Sequence, residues 1–141
     1  REKAAPYKSL IGPDELVITA DTIVYVDGEV LGKPHDKADA RRMLRLISGR
    51  WHEVITGVTL MTAAKERSFA VTTRVRFCNL TDDEINRYVE SGLPMDKAGA
   101  YGIQEWIGYV GVEAIEGSYF NVVGLPVQRL YRELINFCIN E

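Results

Sequence analysis

Asp21 and Thr22 interrupt the middle of a β-branched apolar run, Leu16-Val17-Ile18 and then Ile23-Val24-Tyr25-Val26. Such a run reads as a strand buried on both faces, where a carboxylate is costly unless something pairs with it. The bland explanation is a structural acid held by a hydroxyl or a backbone donor; the rarity of acids inside core strands favours a functional one. Lys33 follows between Gly32 and Pro34. Taken alone it is a solvated turn lysine, although its neighbours fix the backbone in a way that suits close approach to a ligand. A second cluster, Asp96-Lys97-Ala98-Gly99-Ala100-Tyr101-Gly102-Ile103-Gln104, joins small residues to a lysine and an amide. Lys97 is a point charge for phosphate, and the Gln104 amide offers both a donor and an acceptor to the edge of a base. A tight structural loop with incidental polar residues accounts for this cluster equally well. Together, one acid and two lysines suggest an anionic substrate. Cutting a phosphoanhydride needs in-line water, charge neutralisation and usually a divalent cation on oxygen ligands. Asp21 fits two roles there, the base that activates water or a ligand of the cation.

Other chemistries leave no mark on the sequence. Neither a Walker motif nor a GxGxxG fingerprint occurs. His35 and His52 lack the paired spacing of a zinc site, and His52 beside Trp51 reads as structural. No nucleophile elbow announces a Ser-His-Asp triad. A net charge of −3 argues against a nucleic-acid polymer or an anionic membrane as partner, while leaving room for a small anion held by local cations. No apolar run approaches the ~20 residues of a membrane span. Cys78 and Cys138 fall in apolar segments and read as small core residues, so a reducing cytoplasm is the expected compartment.

These residues need elements to hold them. The 141 residues, 46% hydrophobic and 26% charged, suit one globular domain over residues 1–141. The strand over 16–26 turns at Asp27-Gly28, a type I′ hairpin signal, and returns over 29–31. Asp36 caps a helix with Ala40, Met43, Leu44 and Ile47 on one face, closed by Gly49. A buried strand is expected over 51–61. From Phe69 to Phe77 the alternation of Phe69, Val71, Thr73, Val75 and Phe77 against Thr72, Arg74 and Arg76 predicts a half-exposed strand, antiparallel to its neighbour. Thr81-Asp82-Asp83-Glu84 is a capping box for a helix with Ile85, Tyr88 and Val89 inward. A strand pair is expected over 109–115 and 118–123. Pro126 then opens a last helix, with Val127, Leu130, Tyr131, Leu134 and Cys138 toward the core. Hairpins mixed with helices argue an α+β or mixed α/β chain, not a regular Rossmann alternation.

Read as a series, Ala20-Asp21-Thr22, Gly32-Lys33-Pro34, Leu46-Ile47-Ser48-Gly49-Arg50 with His52, the 96–104 block, Gly117-Ser118-Tyr119 and Asn121-Val122-Val123-Gly124-Leu125-Pro126 resemble the Maf family of nucleoside triphosphate pyrophosphatases over nearly the whole chain. The resemblance implies an elongated α/β fold akin to the inosine-triphosphate pyrophosphatases: a twisted mixed sheet with flanking helices, and two lobes around a cleft. It implies hydrolysis between the α and β phosphates, dependent on a divalent cation (Mg²⁺ or Mn²⁺), giving a nucleoside monophosphate and pyrophosphate. Asp21 matches the family's proton acceptor, Lys33 and Lys97 its phosphate-facing lysines, and Lys3 a further site lysine. Thr22 and Gln104 resemble the branch acting on dTTP and UTP, and differ from the 7-methyl-GTP branch. A homodimer is compatible with the resemblance. A rival class is a nucleotide-binding regulator of cell division that senses without hydrolysing.

Two departures stand out. The family's N-terminal loop, with its serine and arginine pair and a later acid, is not among these residues. Because the chain opens at Arg1 without a methionine, an upstream piece is expected, and a protein truly lacking that loop is expected to be nearly inactive. Glu105 stands where the family usually has glycine, a like charge expected to weaken substrate binding.

Overall fold

The computed structural model describes residues 15–139, and Lys3, expected at the site, lies outside the described residues. Among the described residues, five strands form one open sheet in the order β2-β1-β3-β4-β5: β1 (Val17–Val26), β2 (Glu29–Leu31), β3 (Trp51–Met61), β4 (Glu66–Phe77) and β5 (Val112–Glu116). Every pairing among them is antiparallel. Five α-helices among the same residues accompany the sheet: α1 (Lys37–Ile47), α2 (Asp82–Glu90), α3 (Trp106–Gly111), α4 (Tyr119–Val123) and α5 (Val127–Ile139). The chain is a mixed α/β fold, as expected. Among the described residues, no helix is long and apolar enough to cross a membrane.

Local chemistry sets most of these boundaries. Asp27 and Gly28 have φ of 49° and 79°, the two positive values a type I′ turn requires. The Asp36 carboxylate accepts from the Asp39 amide at 2.8 Å and starts α1. Helix α1 buries Ala40, Met43, Leu44 and Ile47, its one apolar stripe. Each of the three larger side chains contributes about 1.5–3 kcal/mol on burial. At α2 the capping box is complete, with Thr81 and Glu84 each bonded to the other's backbone amide.

Two hydrophobic clusters cover the same face of the sheet. Strand register puts Ala20, Thr22 and Val24 of β1 on one face with Val54, Thr56 and Val58 of β3 and Phe69, Val71 and Thr73 of β4. At one end, Val24, Val54, Val75 and Phe77 pack under α1, α2 and the 98–107 segment. At the other, Val58, Leu60 and Phe69 pack under Leu130 and Phe137 of α5. The region between the two clusters is where the cleft described below opens.

Several expectations need correction. Strand β1 is not buried on both faces: only Val24 and Val26 are buried, and Asp21 is exposed. Asp21 stands opposite Gly57, and β2 flanks only the last residues of β1, so among the described residues Asp21 lies on a part of β1 with β3 on one side only. The strand pair over 109–115 and 118–123 is instead helix α3, the short strand β5 and helix α4. Gly108 explains the first change, since a Cβ there would lie 1.9 Å from the Ile103 carbonyl oxygen and only glycine lets α3 seat so closely. For α4, Ser118 caps the first turn through the Asn121 amide at 3.1 Å. Anchoring of this kind overrides the β propensity of Tyr119, Phe120, Val122 and Val123. In α5, Leu130 and Leu134 face the core as expected, but Val127, Tyr131 and Cys138 are exposed and Glu133 and Phe137 are the other buried positions. Cys78 is half-buried and Cys138 exposed, and both are free thiols.

Candidate active site

A cleft of about 210 Å³ lies over β1 and β3, and five sequence-predicted site residues line it: Asp21, Thr22, Lys33, Lys97 and Gln104. Val24 and Val54, both 2% exposed, form an apolar floor. Asp96, Ala98, Tyr101, Gly102 and Ile103 make one wall, and Val122, Val123 and Gly124 at the end of α4 make another. Residues far apart in sequence thus converge on one concavity, the arrangement expected of a small-molecule site.

The turn carrying Lys33 and the segment carrying Lys97 are tied directly. Gly99 donates its N–H to the Gly32 carbonyl at 3.1 Å. Its φ is 70°, and a Cβ would meet Val24 Cγ2 at 2.7 Å, so glycine is needed both for the conformation and for docking on β1. Next to it Ala100, fully buried, holds φ of 63°, a left-handed backbone that costs a non-glycine residue about 1 kcal/mol or more. Tyr101 fastens the segment from below. Its hydroxyl lies 2.6 Å from His52 Nε2, and its ring meets those of Phe77 and His52 edge-on at 5.0 and 5.3 Å. Burial pushes the His52 imidazole down to about 4 and the Tyr101 phenol well above its ordinary value. His52 is therefore a neutral support for the wall, in keeping with the structural role read from its sequence position.

Lys97 is held by three oxygen acceptors: Leu93 O at 3.2 Å, Asp96 Oδ1 at 3.1 Å and Glu105 Oε2 at 3.3 Å. Partial burial pulls its ammonium down, but the bonds to Asp96 and Glu105 outweigh that and hold it above the ordinary lysine value. Glu105 is itself held on both carboxylate oxygens. Its other oxygen accepts from the Tyr88 hydroxyl, which in turn accepts from the Gly102 amide at 3.0 Å. Burial first, and then the bond to Glu105, raise the Tyr88 phenol, which stays protonated as a donor. Glu105 thus builds a brace, Tyr88–Glu105–Lys97, that holds the lysine at the cleft wall.

Beside the floor runs a buried polar network that sequence reasoning missed. Thr22 Oγ1 lies 2.9 Å from Thr56 Oγ1, and Thr56 Oγ1 donates to the Asn121 carbonyl at 3.4 Å. The Asn121 amide nitrogen donates to Val54 O at 3.1 Å, to Val71 O at 3.0 Å and to Thr73 Oγ1 at 3.0 Å. Thr73 passes its own proton to Ser118 O at 3.1 Å. Thr56, Thr73 and Asn121 are all fully buried. In the sequence Thr56 is one more β-branched strand residue, and Asn121 sits inside a stretch that reads as a strand. The available signal was a lone asparagine between apolar neighbours just before Gly124-Leu125-Pro126.

Oxygen donors that could meet a hard divalent cation in the cleft are the carboxylates of Asp21 and Asp96. Among the described residues, no three His, Cys, Asp or Glu side chains gather into a metal-binding group. That donor set suits a cation held by one or two carboxylates together with substrate phosphates, the usual habit of Mg²⁺, and not a dedicated protein cage.

The family model described as Maf-like protein matches residues 1–137. A dTTP/UTP pyrophosphatase of Phocaeicola vulgatus is 62% identical over 133 residues, covering 94% of this chain and 69% of that protein. One of Bacteroides fragilis is 63% identical over 134 residues, covering 95% and 69%. A more distant relative of the same name, from Carboxydothermus hydrogenoformans, is 55% identical over 136 residues, covering 95% and 72%.

Proposed function

Because the chain belongs to the Maf family, we propose that it is a pyrophosphatase hydrolysing dTTP and UTP to the nucleoside monophosphate and pyrophosphate, and so clears the nucleotide pool. The observation that carries this reading is the convergence of Asp21, Thr22, Lys33, Lys97 and Gln104 on one cleft. Relatives at this identity, named for that activity, support it.

The cleft is smaller than the ~300–1,000 Å³ of a typical ligand pocket. In our reading it takes the base and sugar, and the triphosphate lies along the mouth. Thr22 and Gln104 face the base, over the apolar floor of Val24 and Val54. Lys97, held by its brace, and Lys33, exposed on the Gly32-Lys33-Pro34 turn, neutralise the phosphates. Asp21 takes the proton from a water that attacks the α-phosphorus, and the bond to the β-phosphate oxygen breaks to release pyrophosphate. Because Lys97 is already ordered, little reorganisation is left for the moment of reaction. A divalent cation, Mg²⁺ or Mn²⁺, held by the phosphates and by Asp21 or Asp96, would neutralise charge on the scissile anhydride. A cytoplasmic setting fits such a substrate, and neither a nucleic-acid polymer nor a membrane is needed as partner.

The test is comparative turnover of dTTP, UTP, dITP and 7-methyl-GTP by the full-length protein with Mg²⁺. Preference for the two pyrimidines supports the reading. Faster turnover of dITP or 7-methyl-GTP replaces it with a purine-directed activity.

A further inference from the structure

Resting on the reading that the cleft accepts uracil and thymine, we propose that Thr56, which does not line the cleft, is a positioning residue that fixes the Thr22 hydroxyl as a hydrogen-bond acceptor and so selects bases carrying an imide N–H.

The argument starts at the end of α4. The Gly124 and Leu125 amides both turn back to the Phe120 carbonyl, each at 3.1 Å. The next residue, Pro126, has no N–H to give. The Asn121 carbonyl, one residue after Phe120, is thereby left over by the helix terminus while fully buried. The Thr56 hydroxyl reaches it at 3.4 Å, with Thr56 itself fully buried. A hydroxyl carries one proton. Once Thr56 spends its proton on Asn121 O, its oxygen can only accept from Thr22, 2.9 Å away. Thr22 then spends its own proton on Thr56 and turns lone pairs toward the cleft. The opposite polarity, Thr56 donating to Thr22, leaves a buried carbonyl without its donor, the arrangement buried backbone avoids.

An acceptor at Thr22 has a chemical consequence. Uracil and thymine present an N3–H donor between two carbonyls, whereas cytosine presents a bare N3 lone pair at that place. Two acceptors face to face leave both unpaired, and discrimination by unpaired polar groups is strong. The Gln104 amide, on the same cleft, can donate to a flanking carbonyl. UTP and CTP make the clean comparison, since they share sugar and phosphates and differ only on this edge.

The experiment measures kcat/KM for UTP and CTP in the full-length wild type, Thr56→Val, Thr56→Ser, Thr22→Val and the Thr22→Val/Thr56→Val double variant, each with its thermal unfolding midpoint. Thr56→Val is expected to lower the UTP:CTP ratio at least tenfold, chiefly through KM for UTP, and Thr56→Ser to restore it. The double variant is expected to match Thr22→Val, because both act through one hydroxyl. If folded Thr56→Val keeps the wild-type ratio, or if Thr56→Val changes the ratio in the Thr22→Val background, the relay is overturned while the pyrimidine reading stands. A wild type that shows no preference for UTP over CTP overturns the pyrimidine reading itself, and the inference falls with it.

Discussion

Replacing Asn121 tests whether the buried network welds the α4 wall of the cleft to the sheet. Its side-chain amide has two protons and three acceptors within 3.1 Å, on Val54, Val71 and Thr73, so it makes about two full hydrogen bonds with one proton shared. Asn121→Ala forfeits these at about 1 kcal/mol each and strands buried acceptors at about 1–3 kcal/mol. One term runs the other way: Asn121 Oδ1 is buried without a partner, and deleting it recovers a similar desolvation cost. The net expectation is a destabilisation of about 2 kcal/mol. Asn121→Asp keeps the shape but points a carboxylate at two carbonyls, and an uncompensated buried charge costs about 3–5 kcal/mol. Urea unfolding followed by intrinsic fluorescence reads both, with stability taken from the midpoint at unchanged slope. The order Asp worse than Ala worse than wild type is the signature of a donating amide. An Asn121→Asp variant as stable as Asn121→Ala would refute the reasoning.

Two further outcomes follow from the wall opposite. His52 is held neutral, with a folded value near 4 against about 6.5 for an unperturbed imidazole. Its share of stability is therefore fully present above pH ~6.5 and is lost as pH falls through about 4, a total of about 3 kcal/mol at 1.36 kcal/mol per pH unit. Glu133, Asp39, Glu90 and Asp96, whose carboxyls are held below their ordinary values by their partners, shift stability in the same direction. The informative quantity is thus the difference in acid sensitivity between wild type and His52→Gln in urea titrations from pH 7.5 to 4, and equal sensitivity would rule out a neutral buried His52. Gly102→Ala places a Cβ 2.7 Å from Lys97 Cε and 2.9 Å from Glu105 Oε1, contacts that a flexible lysine end can relieve by moving. Stability is expected to change by less than about 1 kcal/mol while KM for dTTP rises by about tenfold, the scale of one misplaced charged contact. An unchanged KM would show that the lysine's aim is immaterial.

Sequence legibility followed the range of the signals. Local codes read correctly: Asp27-Gly28 as a type I′ turn, Asp36 and Thr81 as caps, and the Phe69 to Phe77 alternation as a half-covered strand. Asp21, Thr22, Lys33, Lys97 and Gln104 all line the cleft, but only Asp21 stood out by a local oddity: Lys33 alone read as a turn lysine and the 96–104 block as a structural loop, until the motifs were taken as one series. Three things were not. Burial of Asp21 depended on which face the helices cover, and the side-chain run of β1 carries no record of that. The helical state of 119–123 depended on Asn121 finding acceptors more than forty residues away in sequence, on β3 and β4. The contacts of Glu105 depended on Tyr88, on α2, which ties it into a brace with Lys97. For Asn121 and Glu105 a long-range polar contact decided what a local pattern could not; for Asp21 it was the placement of the covering elements.

The most direct measurement is product identity. The full-length protein is incubated with dTTP and Mg²⁺, and the nucleotide products are resolved by anion-exchange chromatography alongside an assay for pyrophosphate. The account predicts dTMP and pyrophosphate in equal amounts, with turnover lowered at least a hundredfold in Asp21→Asn, the lower end of a general base's worth. Release of dTDP and orthophosphate, or tight dTTP binding with no product at all, would contradict it.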